Sequence, residues 1–236
     1  MKAFTNTPIT KEVLLKHLKW HQEQDAFLQG YYDELTDDGS FKGCAVGCSI
    51  NSIKIELKRT DLECDNHELY EEFFAIPEWL AHLEDKIFEG LSSERSNLWP
   101  IQFIEAINVG AELDKIKPQI MIYILQSTLP TVQGDECKQQ REAVERAIAL
   151  WQRSDLYSES WHKEARAATA AYTHAAAYAT AAASAATTAY TAAYTHAAAT
   201  AYAAVAAYTA VAAYTAKKGF YIDLADKVLK LLRELK

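Results

Sequence analysis

Residues 167–216 read AATAAYTHAAAYATAAASAATTAYTAAYTHAAATAYAAVAAYTAVAAYTA, and this alanine tract decides the fold class. It contains no Asp, Glu, Lys or Arg, and 28 of its 50 residues are Ala. Neither Gly nor Pro occurs between Gly134 and Gly219. Because alanine is the best helix former and glycine and proline are the strongest helix breakers, we expect this whole region to be helical.

A single helix through the 84 residues between those two glycines would be roughly 126 Å long. We therefore expect the alanine tract to fold back near Ser184–Thr188, where hydroxyl side chains favour a turn. The lack of Leu, Ile and Phe in the tract argues against a membrane span. A final amphipathic helix over residues 220–235 is predicted to close an alanine-tight bundle. Its apolar face would consist of Ile222, Ala225, Val228, Leu229, Leu232 and Leu235.

Charge and length indicate two domains. The 236-residue chain has a net charge of −8, which is the sum of −11 in residues 1–166 and +3 in the last twenty. Such an acidic chain is not expected to bind nucleic acid or an anionic membrane. We place the boundary near Thr131–Asp135, between an acidic, mainly helical module over residues 1–130 and the alanine-rich bundle over residues 135–236. Four cysteines and no apolar N-terminal stretch favour a cytoplasmic protein with reduced thiols.

The predicted fold class is mainly α, with at most one short hairpin in the N-terminal module. Thr10 is placed to cap a helix over Lys11–Gly30. A second helix is predicted over residues 68–90, with Pro77 near a first helical position, and a third over residues 99–110.

Two short apolar runs have other patterns. Ile53, Ile55 and Leu57 alternate with charged residues, which predicts a strand. Residues 120–125 are continuously apolar, which fits either a buried helix or a strand.

The start of the second domain carries local helix signals. Asp135 is a suitable cap for a helix from Glu136. The polar run over residues 153–160 predicts the turn after that helix, and the next helix is expected to begin near Ser158 or Ser160.

The segment Lys19–Asp25 combines an aromatic residue with several polar ones. At helical spacing, His21 and Asp25 share a face with leucines, so the carboxylate would keep the imidazole charged or fix its tautomer. We expect these two residues to grip a ligand together with Trp20 and Gln24. The alternative is a structural histidine satisfied by its neighbour.

The segment Gly43–Cys48 contains two glycines and two cysteines, each pair four residues apart. Small residues at this spacing permit close packing in a core, which is the interpretation we favour, and no catalytic residue is assigned. The alternative is a Cys/His enzyme with a thiolate nucleophile. That enzyme would draw its catalytic groups from Cys44, Cys48, His21, Asp25 and His67.

Zinc is a further alternative, because two histidines and two cysteines each stand four residues apart and would form a Cys2His2 set. The four residues are His17, His21, Cys44 and Cys48. Common zinc sites use a tighter Cys-x2-Cys spacing, so we predict neither a metal nor a cofactor.

The alanine tract contains the repeat AAYTHAAA at residues 170–177 and again at 192–199. Rings in such a tract would line a cleft for a small polar ligand, held by Tyr172, His174, Tyr194 and His196. Hydroxyl residues also recur every eleven positions, which resembles the alanine-rich helical antifreeze proteins, whose threonines face ice. That resemblance implies an ice-binding stripe of Thr169, Thr173, Thr180, Thr191 and Thr195.

Five segments resemble an uncharacterised family of bacterial and phage proteins, whose members also carry long Ala/Tyr tracts. The segments are Lys19–Asp25, Gly43–Cys48, His67–Glu71, Ile76–Ala81 and Ala225–Lys227. The resemblance spans most of the chain and implies no particular activity.

Residues Arg141–Trp151 followed by Ala165–Ala183 resemble the alanine-rich immunity proteins of toxin systems, which place a charged helix ending in Trp before an alanine helix. This resemblance implies a neutralising protein. We therefore expect a non-enzymatic helical binding protein that sequesters a toxin, an effector or a small signalling ligand. The partner would be a protein or a small molecule, and the alanine-rich helices would also allow copies of the chain to associate.

Overall fold

A computed structural model of the chain describes residues 1–131, 135, 138–167 and 214–235. The described residues are mainly helical, which confirms the predicted fold class. They divide into a first unit, Met1–Ile116 with Tyr221–Lys236, and a second unit, Lys117–Phe220. This division differs from the sequence-based one in two respects: it falls at Ile116, and the last residues of the chain belong to the first unit.

The first unit consists of short helices and one small hairpin. Its helices are α1 (Lys11–Glu23), α2 (Ala45–Leu57), α3 (Leu69–Phe74), α4 (Glu78–Gly90), α5 (Ser93–Ser96) and α6 (Trp99–Ala106), with a 3-10 turn at Leu113–Ile116. The hairpin pairs β1 (Glu34–Leu35) with β2 (Phe41–Lys42) in antiparallel register. Helix α4 packs against α2, α3 and α6, and α1 packs against α2 and α6.

Local signals explain where several of these helices begin and end. The Thr10 hydroxyl accepts a hydrogen bond from the Val13 amide and caps α1, as predicted. Helix α1 ends at Glu23 and not at Gly30, because Asp25 takes the left-handed conformation. The helix predicted over residues 68–90 is interrupted in the same way at Ala75, and Pro77 precedes α4.

The strand predicted at Ile53, Ile55 and Leu57 is wrong, because these residues form the end of α2. Ile53 is buried together with Ile50 one turn earlier, whereas Ile55 and Leu57 are exposed. Three alternating residues fit a strand and a helix end equally well, and the packing of α2 against α1 and α4 decides between them.

The second unit begins with α7 (Lys117–Thr128) and a 3-10 turn (Leu129–Thr131), so the apolar run over residues 120–125 is a helix. Helix α8 (Lys138–Trp151) packs against α7. A turn follows, as predicted, and residues 159–167 form α9. The Ser158 hydroxyl accepts from the Trp161 amide at the start of α9, and the Trp161 indole donates to the Leu150 carbonyl at 2.9 Å.

The last helix, α10 (Tyr214–Glu234), is amphipathic as predicted, with Val228 and Leu232 fully buried. The sequence predicts that it closes the alanine-rich bundle, but its residues from Tyr221 onward belong to the first unit. Gly90 explains this packing, because a Cβ atom there would lie 2.2 Å from the Tyr221 ring. Arg95 also pairs with Asp226 at 2.8 Å.

Most of the alanine tract lies outside the described residues, and so does its predicted turn at Ser184–Thr188. Glu136, where a helix start is predicted, is also outside them. Within the part of the chain that is described, no helix is long and apolar enough to cross a membrane.

Candidate functional site

The segment Lys19–Asp25 does not bring its histidine and aspartate together. Because α1 ends at Glu23, Asp25 lies beyond the helix, where its carboxylate is exposed and 3.6 Å from the Lys42 ammonium. His21 is fully buried instead, between the rings of Trp20 and Phe41. The predicted His21–Asp25 pair is therefore wrong.

His21 has the properties of a core residue. Burial, with a smaller contribution from nearby His17, lowers the pKa of its imidazole to about 4. The ring is therefore neutral near pH 7. Contact with the Cys48 backbone offsets the lowering of this pKa in part, but neither ring nitrogen makes a well-formed hydrogen bond to another described residue. Trp20 and Gln24, the other ligand residues predicted in this segment, lie exposed on the surface of the first unit.

The glycines of Gly43–Cys48 hold the preceding loop against α2. A Cβ atom at Gly43 would lie 2.3 Å from the carbonyl oxygen of Tyr32, and one at Gly47 would lie 1.8 Å from the same atom. The Cys44 amide donates to the Tyr31 carbonyl at 2.6 Å, and the Cys44 sulfur caps α2 by accepting from the Gly47 amide. The two glycines are therefore required by close backbone contact.

The two thiols of this segment are poorly suited to nucleophilic chemistry. Both are buried, and burial raises the pKa of each. The Asp85 carboxylate raises the pKa of Cys44 further, and Cys64 does the same for Cys48. A reactive cysteine needs the opposite setting, one that stabilises the thiolate.

Polar side chains gather at the N-terminal end of α2, in a group that we call the polar cluster. Its members are Tyr32, Cys44, Ser49, His67, Tyr70, His82, Glu84 and Asp85. They come from the loop before the hairpin, from α2, from the residues leading into α3 and from α3 and α4. The sequence predicts only Cys44 and His67 as candidates among them.

The outer half of the polar cluster is centred on the carboxylate of Asp85. The Tyr32 hydroxyl donates to its Oδ2 at 3.3 Å, and the Nε2 atom of His67 lies 3.8 Å from the same oxygen. The rings of His67 and His82 stack at 3.7 Å. Burial would raise the pKa of Asp85, but the adjacent His67 ring and the Cys44 thiol hold it below its usual value.

The inner half of the polar cluster consists of Ser49, Tyr70 and Glu84, all fully buried. Burial raises the pKa of the Glu84 carboxyl to about 8, so this group is mostly protonated at neutral pH. Burial and the neighbouring Glu84 also raise the pKa of Tyr70. A protonated carboxyl beside two hydroxyls can donate or accept hydrogen bonds, or exchange its proton when a ligand arrives.

A second distinctive region, which we call the hairpin face, lies on the surface of the first unit. Trp20, Tyr31 and Leu35 expose 45%, 54% and 74% of their surface, respectively. Phe41 links two of them, because it pairs with Leu35 across the hairpin and contacts the ring of His21 beside Trp20. Exposed carboxylates occur in the same stretch of the chain, at Asp25, Asp33, Glu34, Asp37 and Asp38.

The structure does not bring together the four residues of the zinc alternative. The Nε2 atom of His17 lies 3.0 Å from Glu56, and His21 is buried in the core. Within the described residues, no group of three or more His, Cys, Asp or Glu side chains is arranged to hold a metal ion.

The candidates in the alanine tract lie outside the described residues. These are the ligand residues Tyr172, His174, Tyr194 and His196, and the ice-binding residues Thr169, Thr173, Thr180, Thr191 and Thr195. Comparison with known proteins gives no relative for the chain: no protein-family model, curated protein or solved structure matches it.

Proposed function

We propose that this chain is a binding protein that neutralises a basic protein, a toxin or an effector, by contact through the hairpin face. The observation that carries the proposal is the combination of large exposed apolar groups with exposed carboxylates on the hairpin and in the residues that lead into it. The likeness to alanine-rich immunity proteins supports the same class of function.

The apolar centre of the hairpin face has the composition of a protein contact. Trp and Tyr are enriched where binding energy is concentrated, because they bury a large rigid area at a small cost in side-chain entropy. Trp20 projects from α1 and Tyr31 from the loop that Gly43 and Gly47 hold in place. These anchors therefore stand on a fixed backbone, which lowers the entropy lost on binding.

The charged rim indicates the chemistry of the partner. Carboxylates at Asp33, Glu34 and Asp37 are exposed around the apolar centre, and residues 1–166 together carry a charge of −11. Such a field increases the rate at which a basic protein arrives and disfavours acidic ones. Asp38 has a structural role as well, because it accepts a hydrogen bond from the Ser40 amide within the hairpin loop.

Site-specific photo-crosslinking in the source cells would test the proposal. A photo-reactive amino acid is placed at Tyr31 and, as a matched control, at Val109, which is 58% exposed elsewhere on the first unit. We expect position 31 to capture one basic protein that position 109 does not. The combined change Asp33→Asn, Glu34→Gln and Asp37→Asn should abolish the capture, since it keeps the shape and removes the charge.

Two results would contradict this function. One is the same set of captured proteins at both positions, and the other is a specific partner whose capture survives loss of the three charges. Asp38 is kept in the triple variant so that the hairpin loop retains its hydrogen bonds.

A further inference from the structure

The polar cluster contains an unusual concentration of buried polar atoms without well-formed hydrogen bonds. Among the described residues, six of its atoms are in this state: Ser49 Oγ, His67 Nε2, Tyr70 OH, both carboxyl oxygens of Glu84 and Asp85 Oδ1. Tyr70 lies close to Ser49 and Glu84, and His67 lies close to Asp85, so these groups make loose polar contacts with one another. Their residues are buried to nine-tenths or more. Because burying a polar group without a good hydrogen bond is costly, six such atoms together point to a ligand that supplies better ones.

The chemistry of these atoms specifies the ligand. Two carboxyl groups, on adjacent residues of α4, provide three of the six atoms, and all six can accept a hydrogen bond. The buried side chains of the described residues include no Lys or Arg, so none of them supplies a permanent positive charge. A group with several N–H donors and a positive charge would therefore complement the cluster.

We propose that the polar cluster binds a small organic cation, whose ammonium or guanidinium N–H groups donate to the carboxylates of Glu84 and Asp85. The hydroxyls of Ser49 and Tyr70 accept the remaining donors and orient the group. His67 and Tyr32 border the Asp85 side of the site.

Proton exchange accompanies this binding. Without a ligand, burial keeps the Glu84 carboxyl mostly protonated at neutral pH. A cation held against Glu84 favours its carboxylate, so the carboxyl O–H bond breaks and the proton passes to the buffer. The groups that act on Glu84 are Tyr70 from α3 and Asp85 from α4 itself, and Ser49 from α2 lies beside Tyr70. None of them is a base that would take up this proton at pH 7, so one proton is released for each cation bound.

Access to the site lies on the Asp85 side. Tyr32 is an exposed residue whose hydroxyl touches Asp85 Oδ2, and the ring of His82 is partly exposed next to His67. The backbone of Tyr32 is held by Gly43 and Gly47, so a ligand that enters by this route displaces the Tyr32 side chain from Asp85. A small cation fits this route better than a large one.

Calorimetric titration of the full chain with three chloride salts would test the proposal. The probes are ethylammonium and guanidinium, with tetramethylammonium as the control, since it carries the same charge but no N–H donor. We expect ethylammonium or guanidinium to bind saturably and at least about tenfold more tightly than tetramethylammonium. Titrations at pH 7 in two buffers of different ionisation enthalpy should show the released proton.

Variants assign the binding to the cluster. Glu84→Gln keeps the shape of the side chain, and we expect it to weaken binding at least about tenfold and to abolish proton release. The matched control is Glu72→Gln, an exposed position on α3, which should bind as the wild type does. Circular dichroism establishes that each variant is folded, and Ser49→Ala with Tyr70→Phe replaces Glu84→Gln if that variant unfolds.

Three outcomes would overturn the proposal. They are the absence of saturable binding by either N–H donor probe, equal affinity for tetramethylammonium, and unchanged affinity in a folded cluster variant. None of these results bears on the hairpin face, because that surface involves different residues and a protein partner.

Discussion

Residues 19–25 and 43–48 are the two segments with the most distinctive composition, and they occupy opposite settings in the first unit. In the first segment, His21 on α1 is buried, whereas Trp20 on the same helix and Asp25 beyond its end lie on the surface. The second is buried throughout, and its glycines hold the backbone of Tyr32. The first segment therefore contributes Trp20 to the hairpin face that we propose as a binding surface, whereas the second holds the loop that precedes the hairpin.

Unusual residues therefore do not by themselves indicate a reactive site. The cysteines of 43–48 cap and fill the start of α2, where burial disfavours the thiolate. The polar groups with altered ionisation lie around that helix end, on residues such as Asp85 and Glu84 that belong to another helix. Buried polar groups are concentrated in the polar cluster, beside the second segment and on residues from α3 and α4.

Gly47→Ala has the largest expected effect and tests the structural role of residues 43–48. The new methyl group would lie 1.8 Å from the Tyr32 carbonyl oxygen, so the loop has to move away from α2. We expect the free energy of unfolding to fall by about 3 kcal/mol. Urea unfolding followed by circular dichroism measures it.

Gly219→Ala is the matched control for that experiment, since nothing lies within 4 Å of an added Cβ atom and the position is helical. It should leave stability unchanged or raise it by about 1 kcal/mol. Equal effects at the two glycines would contradict the close contact assigned to Gly47.

Much of the fold could be predicted where the signal is local. The Thr10 cap and the turn over residues 153–160 depend on neighbouring residues, and both are confirmed. The strand at Ile53–Leu57 fails because its alternation covers only three apolar residues, and distant helices decide which of them are buried. The role of Gly90 is nonlocal in the same sense, since Tyr221 is far away in the sequence.

The candidate site was less predictable than the fold. His67 is identified from its residue type, but Glu84 and Asp85 lie in an amphipathic helix, where carboxylates usually face solvent. Their burial comes from the contact of α4 with α2 and α3, which no local pattern of α4 contains. The His21–Asp25 pair fails for a local reason, because the left-handed Asp25 ends the helical spacing that the pair requires.

The pH dependence of stability in Glu84→Gln tests the inner half of the polar cluster. The pKa of Glu84 is raised from 4.5 to about 8, so between these values the folded chain holds a proton that the unfolded chain has released. Its contribution to stability is complete below pH 4.5 and is lost as the pH rises toward 8. The wild-type free energy of unfolding should therefore decline relative to the variant, by up to about 1.4 kcal/mol per pH unit.

Urea unfolding of the wild type and of Glu84→Gln, at steps of about one pH unit from pH 5 to pH 8, measures this difference. The other titrating groups remain in both chains, so the difference between the two curves reports Glu84 together with its electrostatic interaction with Asp85. Parallel stability curves would mean that Glu84 ionises as an exposed carboxyl does.

His21→Leu distinguishes a core histidine from a ligand-gripping one. The buried ring makes no well-formed hydrogen bond with the described residues and only a weak contact with the Cys48 backbone, so leucine should keep or raise stability at pH 7, by about 1 kcal/mol at most. The pKa of His21 is lowered from 6.5 to about 4, so the wild type loses stability as the pH falls through this interval. The variant should lack that loss, and unfolding at pH 7 and pH 5 measures it.

A loss of more than about 2 kcal/mol in His21→Leu at pH 7 would contradict this assignment. It would show that the imidazole makes polar contacts on which the fold depends. His21 would then have a structural role like that of residues 43–48. Trp20 would be the one residue of segment 19–25 that contributes to the hairpin face.

Thiol labelling has the smallest expected effect and tests the enzyme alternative directly. Cys44 and Cys48 are buried with raised pKa values, so iodoacetamide should leave both unmodified in the folded chain at pH 7. A cysteine introduced by Val109→Cys, at an exposed position, provides the rate of an ordinary thiol. Peptide mass spectrometry locates the label, and urea should make all positions reactive. Labelling of Cys44 as fast as that of the introduced thiol would require an accessible, stabilised thiolate at the start of α2, and residues 43–48 would then carry chemistry as well as structure.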